Sequence, residues 1–240
     1  MEVYWLEQTD SDVPQENDWL STSEVVYLDG LRVAKRRAEW RLGRWTAKCA
    51  LATCLKFPVD PGILANIEIR PSPSGAPEVF LGRKPSAVSI SLSHREGVAM
   101  CAVALSDIDL GCDLELVEPH SPAFIADYLT DEEQELVLQA PESGRFLLVA
   151  LLWSGKESVL KALHVGLRLS TRSINVTPGN GSSLLSSWRP FQATCSEGRV
   201  FLGWWQHTQT IVRTMVADPP SDPPIHLVAA HVGDLLHQLA

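Results

Sequence analysis

Twice along this chain a long helical run is followed by short β-rich runs, and that order constrains the fold more than any other feature. From Leu31 to Leu55 the one helix-breaking residue is Gly43, and Pro58 and Pro61-Gly62 then stop the run. Ile67–Arg70, a Pro/Gly/Ser loop at 71–77, and strands at 87–93 and 98–105 follow, the last two joined by the turn His94-Arg95-Glu96-Gly97. A third strand is expected at 108–117. Thr130-Asp131-Glu132-Glu133 reads as a capping box that opens a helix to about Gln139. The second long helix runs from about Arg145 to His164. Short β-rich runs come after it: Ser173–Val176, Phe191–Cys195, Val200–Trp205, Thr210–Val216 and Ile225–Ala229. Val3–Leu6 is β-like, and Ser21-Thr22-Ser23-Glu24 can cap a turn. The layout predicts two similar α/β halves, 1–107 and 108–240, joined near Ser106-Asp107. No residue-level repeat is evident between them.

The 240 residues suffice for a sizeable core, and 45% hydrophobic content is that of a globular protein. The longest apolar runs, 98–105 and 146–153, fall far short of the ~20 residues that span a bilayer, so no membrane segment is expected. The acidic start MEVYWLEQTD is not that of a signal peptide. Five cysteines, an odd number with no CxxC pair, read as buried free thiols in a reducing compartment, hence the cytoplasm. Seven histidines without HExxH spacing argue against zinc. The net charge of −9 excludes a generic nucleic-acid coating protein, and no nucleic-acid partner is expected. That charge is uneven. Residues 32–48 carry seven bases against one acid, which leaves −15 on the rest.

Four constellations carry chemistry. In the first helix Arg37, Arg41, Arg44 and Lys48 share one face at i, i+4, i+7 and i+11, beside an apolar stripe of Ala38, Leu42, Trp45, Cys49 and Ala52. Guanidinium groups bind planar oxyanions through paired bonds, so the face suits phosphate; a solvated basic surface is the plain alternative. In the strand 109–117, Asp113 and Glu115 project from one side. Two such carboxylates repel unless a cation lies between them, and hard oxygen ligands suit Mg²⁺ shared with a phosphate. An acidic strand face turned to water is the alternative.

The third is Trp153-Ser154-Gly155-Lys156-Glu157-Ser158-Val159-Leu160-Lys161, where Trp153, Glu157 and Lys161 fall on one helix face. Glu157 and Lys161 could form an ordinary helix ion pair. The apolar run before them predicts a largely buried helix, where such a pair is costly. Ser158-Val-Leu-Lys161 matches S-x-x-K, but S-D-N and K-T-G are absent. Gly155-Lys156 is no P-loop, since Ala150 stands where Gly is needed and Glu157 where Ser or Thr is needed. The fourth is Ser89-Ile90-Ser91-Leu92-Ser93-His94, three serines on one strand face ending at a histidine that can donate to phosphate oxygens or cap a turn. No G-x-S-x-G elbow supports a nucleophilic serine.

Taken in order, these segments resemble the Sfp-type 4′-phosphopantetheinyl transferases over about residues 31–165. The matching stretches are Gly75-Ala76-Pro77, Ser91-Leu92-Ser93-His94, Gly111-Cys112-Asp113-Leu114-Glu115 and Trp153 through Lys161, with Lys35 to Arg44 similar to the family's basic start. The resemblance implies a pseudo-twofold α/β (α+β) fold. Each half would be a long helix on a small, mostly antiparallel sheet, with coenzyme A held between them. It implies transfer of phosphopantetheine from coenzyme A to a serine of an apo acyl or peptidyl carrier protein, releasing 3′,5′-ADP. Asp113, Glu115 and Glu157 would hold Mg²⁺. Glu157 would also take the serine proton, and Lys161 would steady the pyrophosphate. Gly75, Pro77, Ser93, His94 and Lys156 would contact coenzyme A, and Arg37 and Arg44 its 3′-phosphate.

Ala76 departs from the Lys that many members have there; Arg70, Arg83 or Lys84 could replace that cation. Cys112 replaces Val or Ile on the apolar face. A non-catalytic relative that binds a carrier protein or nucleotide is the alternative, as is an unrelated metal-dependent phosphoryl-transfer enzyme. A two-domain monomer is expected.

Overall fold

The computed structural model describes residues 1–179 and 187–228. In chain order its elements are β1 (Tyr4–Thr9), α1 (Thr22–Gly30), α2 (Ala34–Cys54), α3 (Pro61–Leu64), β2 (Ile67–Pro71), β3 (Pro77–Leu81), β4 (Lys84–Pro85), β5 (Ser89–Arg95), β6 (Val98–Ala104), β7 (Asp109–Leu116), α4 (Pro122–Tyr128), α5 (Asp131–Gln139), α6 (Glu142–Ala162), β8 (Ile174–Pro178), β9 (Arg189–Cys195), β10 (Val200–His207), β11 (Ile211–Asp218) and β12 (Ile225–His226). The chain divides into two compact units. An N-terminal unit takes Tyr4–Asp107 with the segment from Ile225, and a C-terminal unit takes Met1–Val3 with Ile108–Pro224.

In the N-terminal unit α2 packs on β1 and β6 of a sheet ordered β12-β1-β6-β5. All its pairings are antiparallel except β1 with β12, where Tyr4 and Trp5 align with Ile225 and His226. A second sheet, β2-β3-β4, lies in the same unit. Leu42, Trp45, Cys49 and Ala52 of the expected apolar stripe are buried, whereas Ala38 is exposed. The C-terminal unit is one antiparallel sheet, β7-β11-β10-β9-β8, with α6 on it. The mixed fold with mostly antiparallel sheets is therefore as expected. Two elements were not: Thr22–Gly30 is a helix rather than a turn, and Pro122–Tyr128 is a helix opened by Pro122 after the Ser121 cap. The expected strand from Ile225 forms at Ile225–His226 and pairs with β1. Ala229, at the end of the last expected strand, lies outside the described residues.

A device recurs in both units. Glu24 is the capping-box residue of α1. Its Oε2 accepts from the Ser21 backbone N–H (2.9 Å) and pairs with Lys48 of α2 (2.5 Å), while Oε1 accepts from the Ile69 N–H (3.2 Å). Glu133 is the capping-box residue of α5. Its Oε2 accepts from the Thr130 N–H (2.8 Å) and pairs with Lys156 of α6 (2.7 Å), while Oε1 accepts from the Val176 N–H (2.7 Å). Each lysine, fully buried, donates to two more backbone carbonyls: Trp19 and Leu64 for Lys48, Thr171 and Ile174 for Lys156. Burial pushes both ammonium groups below the usual lysine range, with the glutamate opposing. The expectation of no residue-level repeat is thus corrected. Trp45-Thr46-Ala47-Lys48 and Trp153-Ser154-Gly155-Lys156 are corresponding segments of the two long helices.

Removing one partner of a buried pair leaves the other charged and desolvated, at a cost of about 3–5 kcal/mol. Lys156→Met and Lys48→Met should each lower Tm by on the order of 10 °C in a chain this size. Thermal unfolding followed by circular dichroism checks this. Losses no larger than for the exposed Lys35→Met would contradict the structural role.

Candidate active site

Two elements of the C-terminal unit build the site. On β7 the residues facing α6 are Gly111, Asp113 and Glu115, and on α6 the facing residues are Lys161, Glu157 and Trp153. Gly111 allows the approach: a Cβ there would lie 1.8 Å from the Ser158 carbonyl oxygen and 2.8 Å from the Ala162 nitrogen. Gly155 lets the other side of α6 settle on Val176 and Phe191, where a Cβ would meet side-chain carbons at 3.1 to 3.4 Å. A hydroxyl cluster then fixes the register. Thr214 of β11 is aligned with Asp113, and its Oγ1 lies 2.9 Å from Ser154 Oγ and 2.6 Å from Ser158 Oγ, and donates to the Ser154 carbonyl (2.9 Å).

Two of the three acids are tethered. Lys161 Nζ donates to Asp113 Oδ1 (2.7 Å) and to the Cys112 carbonyl (3.0 Å). The Trp153 indole N–H donates to Glu115 Oε1 (3.0 Å). Glu157 lies one helical turn from each of these donors, and its buried Oε1 has no hydrogen-bond partner among the described residues. Burial pushes the Glu157 carboxyl up to about 7; Asp113 and Glu115 add to the rise, and Lys161 opposes it. For Lys161 burial acts downward most strongly of any single cause, but Asp113, Cys112 and Glu157 together outweigh it and the ammonium is held above its ordinary range. The ordinary helix pair between Glu157 and Lys161 gives way to one between Lys161 and Asp113. The acidic strand face turned to water is also excluded, since Asp113 is 4% exposed.

Among the described residues no group of three or more His, Cys, Asp or Glu side chains stands ready as a metal cage. The donor set nevertheless fits a hard divalent cation. Three carboxylates and one ammonium sum to −2, Glu157 presents a buried oxygen with no hydrogen bond, and Mg²⁺ characteristically takes one or two carboxylates plus substrate phosphates rather than a full protein cage.

The other expected residues are placed as follows. Lys156 is fully enclosed by Glu133 and two carbonyls, so its expected contact with coenzyme A is corrected to a structural role. It lies about 100° around the helix from Glu157, on the side that faces the core. In the N-terminal unit the basic face is largely committed to its own backbone. Lys48 is buried, and Arg41 donates to the carbonyls of Pro14, Gln15 (3.1 Å) and Glu16 (3.4 Å). Arg44, with 13% of its side chain exposed, lies over the Trp40 ring (4.8 Å) and 3.7 Å from Glu24, and burial holds its guanidinium below the usual range. The open phosphate stripe is therefore corrected: backbone carbonyls that need donors take up Arg41 and Lys48, and Arg44 lies largely buried against Trp40 and Glu24. Arg37 bonds the Leu28 and Leu31 carbonyls (3.2 Å to the second) but remains 36% exposed, 3.8 Å from Asp29. Gly75, at φ +93°, closes the 72–76 turn that Pro77 follows into β3. On β5, Ser93 is buried and His94 exposed. All five cysteines are free, four of them buried, and among the described residues no helix is long and apolar enough to cross a membrane.

Sequence reasoning singled out Trp153 without a role and passed over Thr214, Ser154 and Ser158. The equal-length hydroxyl side chains at i and i+4 on α6 were the available signal for the last two.

Solved structures similar to this chain include two synthases. One is a holo-[acyl-carrier-protein] synthase of Thermotoga maritima, at 20% identity over 46% of this chain and 62% of that one, with TM-score 0.37. The other is a holo-(acyl-carrier-protein) synthase of Bacillus anthracis in complex with CoA (3′,5′-ADP), at 21% identity over 42% of this chain and 92% of that one, with TM-score 0.36. The chain thus spans under two thirds of the first structure's length. No curated protein matches. The family model that matches describes the 4′-phosphopantetheinyl transferase superfamily, and its match covers β7, α4 to α6, β8, β9 and most of β10. Residues 109–205 of this chain are thus similar to the 4′-phosphopantetheinyl transferase superfamily.

Proposed function

We propose that the protein transfers the 4′-phosphopantetheine group of coenzyme A to a serine hydroxyl of an apo acyl or peptidyl carrier protein, with Mg²⁺, and releases 3′,5′-ADP. The observation that carries this reading is the half-buried Glu157 carboxylate, whose enclosed Oε1 has no hydrogen bond, flanked by Asp113 and Glu115, which Lys161 and Trp153 hold. Asp113, Glu115 and Glu157 would hold the cation, which when bound neutralises charge developing on the pyrophosphate.

The reaction needs a base for the serine proton, and Glu157, whose Oε1 is not engaged in a hydrogen bond, is the carboxylate assigned to it. The serine oxygen forms a bond to the phosphorus on the pantetheine side. The bond from that phosphorus to the bridging oxygen breaks, its electron pair leaves with 3′,5′-ADP, and the serine proton passes to Glu157. Lys161, kept cationic by Asp113, supplies fixed positive charge beside the departing phosphate. Arg37, Gly75, Pro77, Ser93 and His94, which the resemblance assigns to coenzyme A, lie in the N-terminal unit. Arg44, enclosed by Trp40 and Glu24, is assigned to the fold instead.

The test is incubation with coenzyme A, Mg²⁺ and a panel of apo acyl and peptidyl carrier proteins, followed by intact mass spectrometry. A phosphopantetheine-sized mass gain on at least one carrier, absent when metal is chelated, is the expected result. No gain on any carrier favours the non-catalytic reading.

A further inference from the structure

We propose that Trp153 is a positioning residue of the metal site: its indole N–H fixes the Glu115 carboxylate as Lys161 fixes that of Asp113. The proposal rests on the reading of Asp113, Glu115 and Glu157 as ligands of a divalent cation.

The geometry is that of two clamps. Trp153, Glu157 and Lys161 succeed one another at single helical turns along α6, opposite Glu115 and Asp113 on β7. Each outer helix residue holds one oxygen of one strand carboxylate, at 3.0 Å and 2.7 Å, and Glu157 stands between. The clamps differ in charge, and that difference matters. Lys161 offsets the charge of Asp113. An indole donates a hydrogen bond without adding charge, so it orients Glu115 without itself offsetting the carboxylate's charge. A second cation in place of the indole would bring the cluster from −2 to −1 and weaken its match to a divalent ion.

Packing fixes the direction in which the indole points. The Trp153 ring lies edge-on to Phe124 (centroids 5.2 Å, planes 69° apart) and to Tyr128 (5.0 Å, 64°), and Phe124 is itself stacked on His120 (4.3 Å, 21°). These rings come from α4 and the residues just before it, so a short helix otherwise without a role in the site sets the plane of the indole. Groups that orient a metal ligand through such outer contacts are worth about 10- to 100-fold in metal affinity.

Trp153→Phe keeps an aromatic ring against Phe124 and Tyr128 and removes the donor. The experiment is titration of the protein with Mn²⁺ alone, with free Mn²⁺ read from its electron paramagnetic resonance signal, on the wild type, Trp153→Phe and Glu157→Gln. The expected result is that Trp153→Phe binds Mn²⁺ about tenfold more weakly, and Glu157→Gln more weakly still. A structural role alone would lower Tm and leave the affinity of the folded variant unchanged. Folded Trp153→Phe with wild-type affinity overturns the proposal and leaves the metal reading standing. A wild type that takes up no Mn²⁺, or a Glu157→Gln that binds as the wild type does, overturns both.

Should Trp153→Phe fail to fold, the indole itself reports. Of the eight tryptophan indole N–H resonances of ¹⁵N-labelled protein, one must move both on Glu115→Gln and on addition of Mg²⁺ to the wild type. If no resonance responds to Glu115→Gln, the proposal is overturned.

Discussion

Gly111→Ala should abolish the folded C-terminal unit or lower its Tm by about 10 °C or more, the largest stability effect expected of any single methyl group in this chain. The new Cβ would lie 1.8 Å from the Ser158 carbonyl oxygen, 2.8 Å from the Ser158 carbonyl carbon and 2.8 Å from the Ala162 nitrogen. Those atoms are backbone in the last turn of α6, so no rotamer change relieves the overlap and the C-terminal end of α6 must move off β7. Overpacking that side chains can absorb costs about 1–3 kcal/mol; here the displaced object is a helix, and the cost exceeds that range. The same shift would separate Asp113 and Glu115 from Lys161, Glu157 and Trp153, so transfer activity falls with stability. Gly43 of α2 supplies the contrast. A Cβ there meets nothing within 4 Å, and Gly43→Ala in a helix interior should stabilise by about 0.5–1 kcal/mol. Thermal melts of the two variants decide the matter. A Gly111→Ala protein that melts with the wild type would show that α6 is not seated on β7 as described.

These two glycines also show how far the sequence could be read. Both sit in motifs that drew attention for their charged neighbours, and nothing in composition or periodicity distinguishes a glycine under a helix from one in open space. The long helices, the hairpin of β5 and β6, and the strand bearing Asp113 and Glu115 were legible, because helix formers, turn residues and alternation act over short range. The duplicated ion pair was not. Only Trp-(Thr/Ser)-(Ala/Gly)-Lys repeats between the halves, and the glutamate each lysine meets lies in a capping box more than twenty residues upstream. The next position then diverges, Cys49 in one helix and Glu157 in the other, so the residue proposed to carry the chemistry of the C-terminal unit obscures the repeat. The basic stripe misled for a related reason. Period alone places Arg41, Arg44 and Lys48 on one face, but it does not show that the carbonyls of 14–16 meet Arg41, that those of 19 and 64 meet Lys48, or that Arg44 packs on Trp40. Lys156 and Glu157 are adjacent in one motif, yet rotation about the helix sends one to the core and the other to the site.

Glu157→Gln should reduce phosphopantetheine transfer by at least about 10³-fold, combining the loss of a base with the loss of a metal oxygen, while making the metal-free protein more stable at alkaline pH. The second effect follows from the sign of the Glu157 shift. In the folded protein its carboxyl titrates at about 7, against an ordinary value of 4.5. Between those values the folded state binds more protons than the unfolded state, so wild-type stability falls as pH rises through that window. Below it both states are protonated and the residue contributes no such penalty. Above it the full cost of a buried carboxylate facing Asp113 and Glu115 is present. Glutamine, neutral throughout, removes that cost. In EDTA the variant should melt with the wild type near pH 4.5 and about 2–4 °C above it at pH 8, the change that ~1 kcal/mol makes in a chain this size. Mg²⁺ should reverse the order at pH 8, because a cation that binds only the folded state stabilises the wild type and finds one ligand fewer in the variant. Equal melting at both pH values would show that Glu157 is not buried against its two acidic neighbours. Equal transfer rates would remove it from the chemistry altogether.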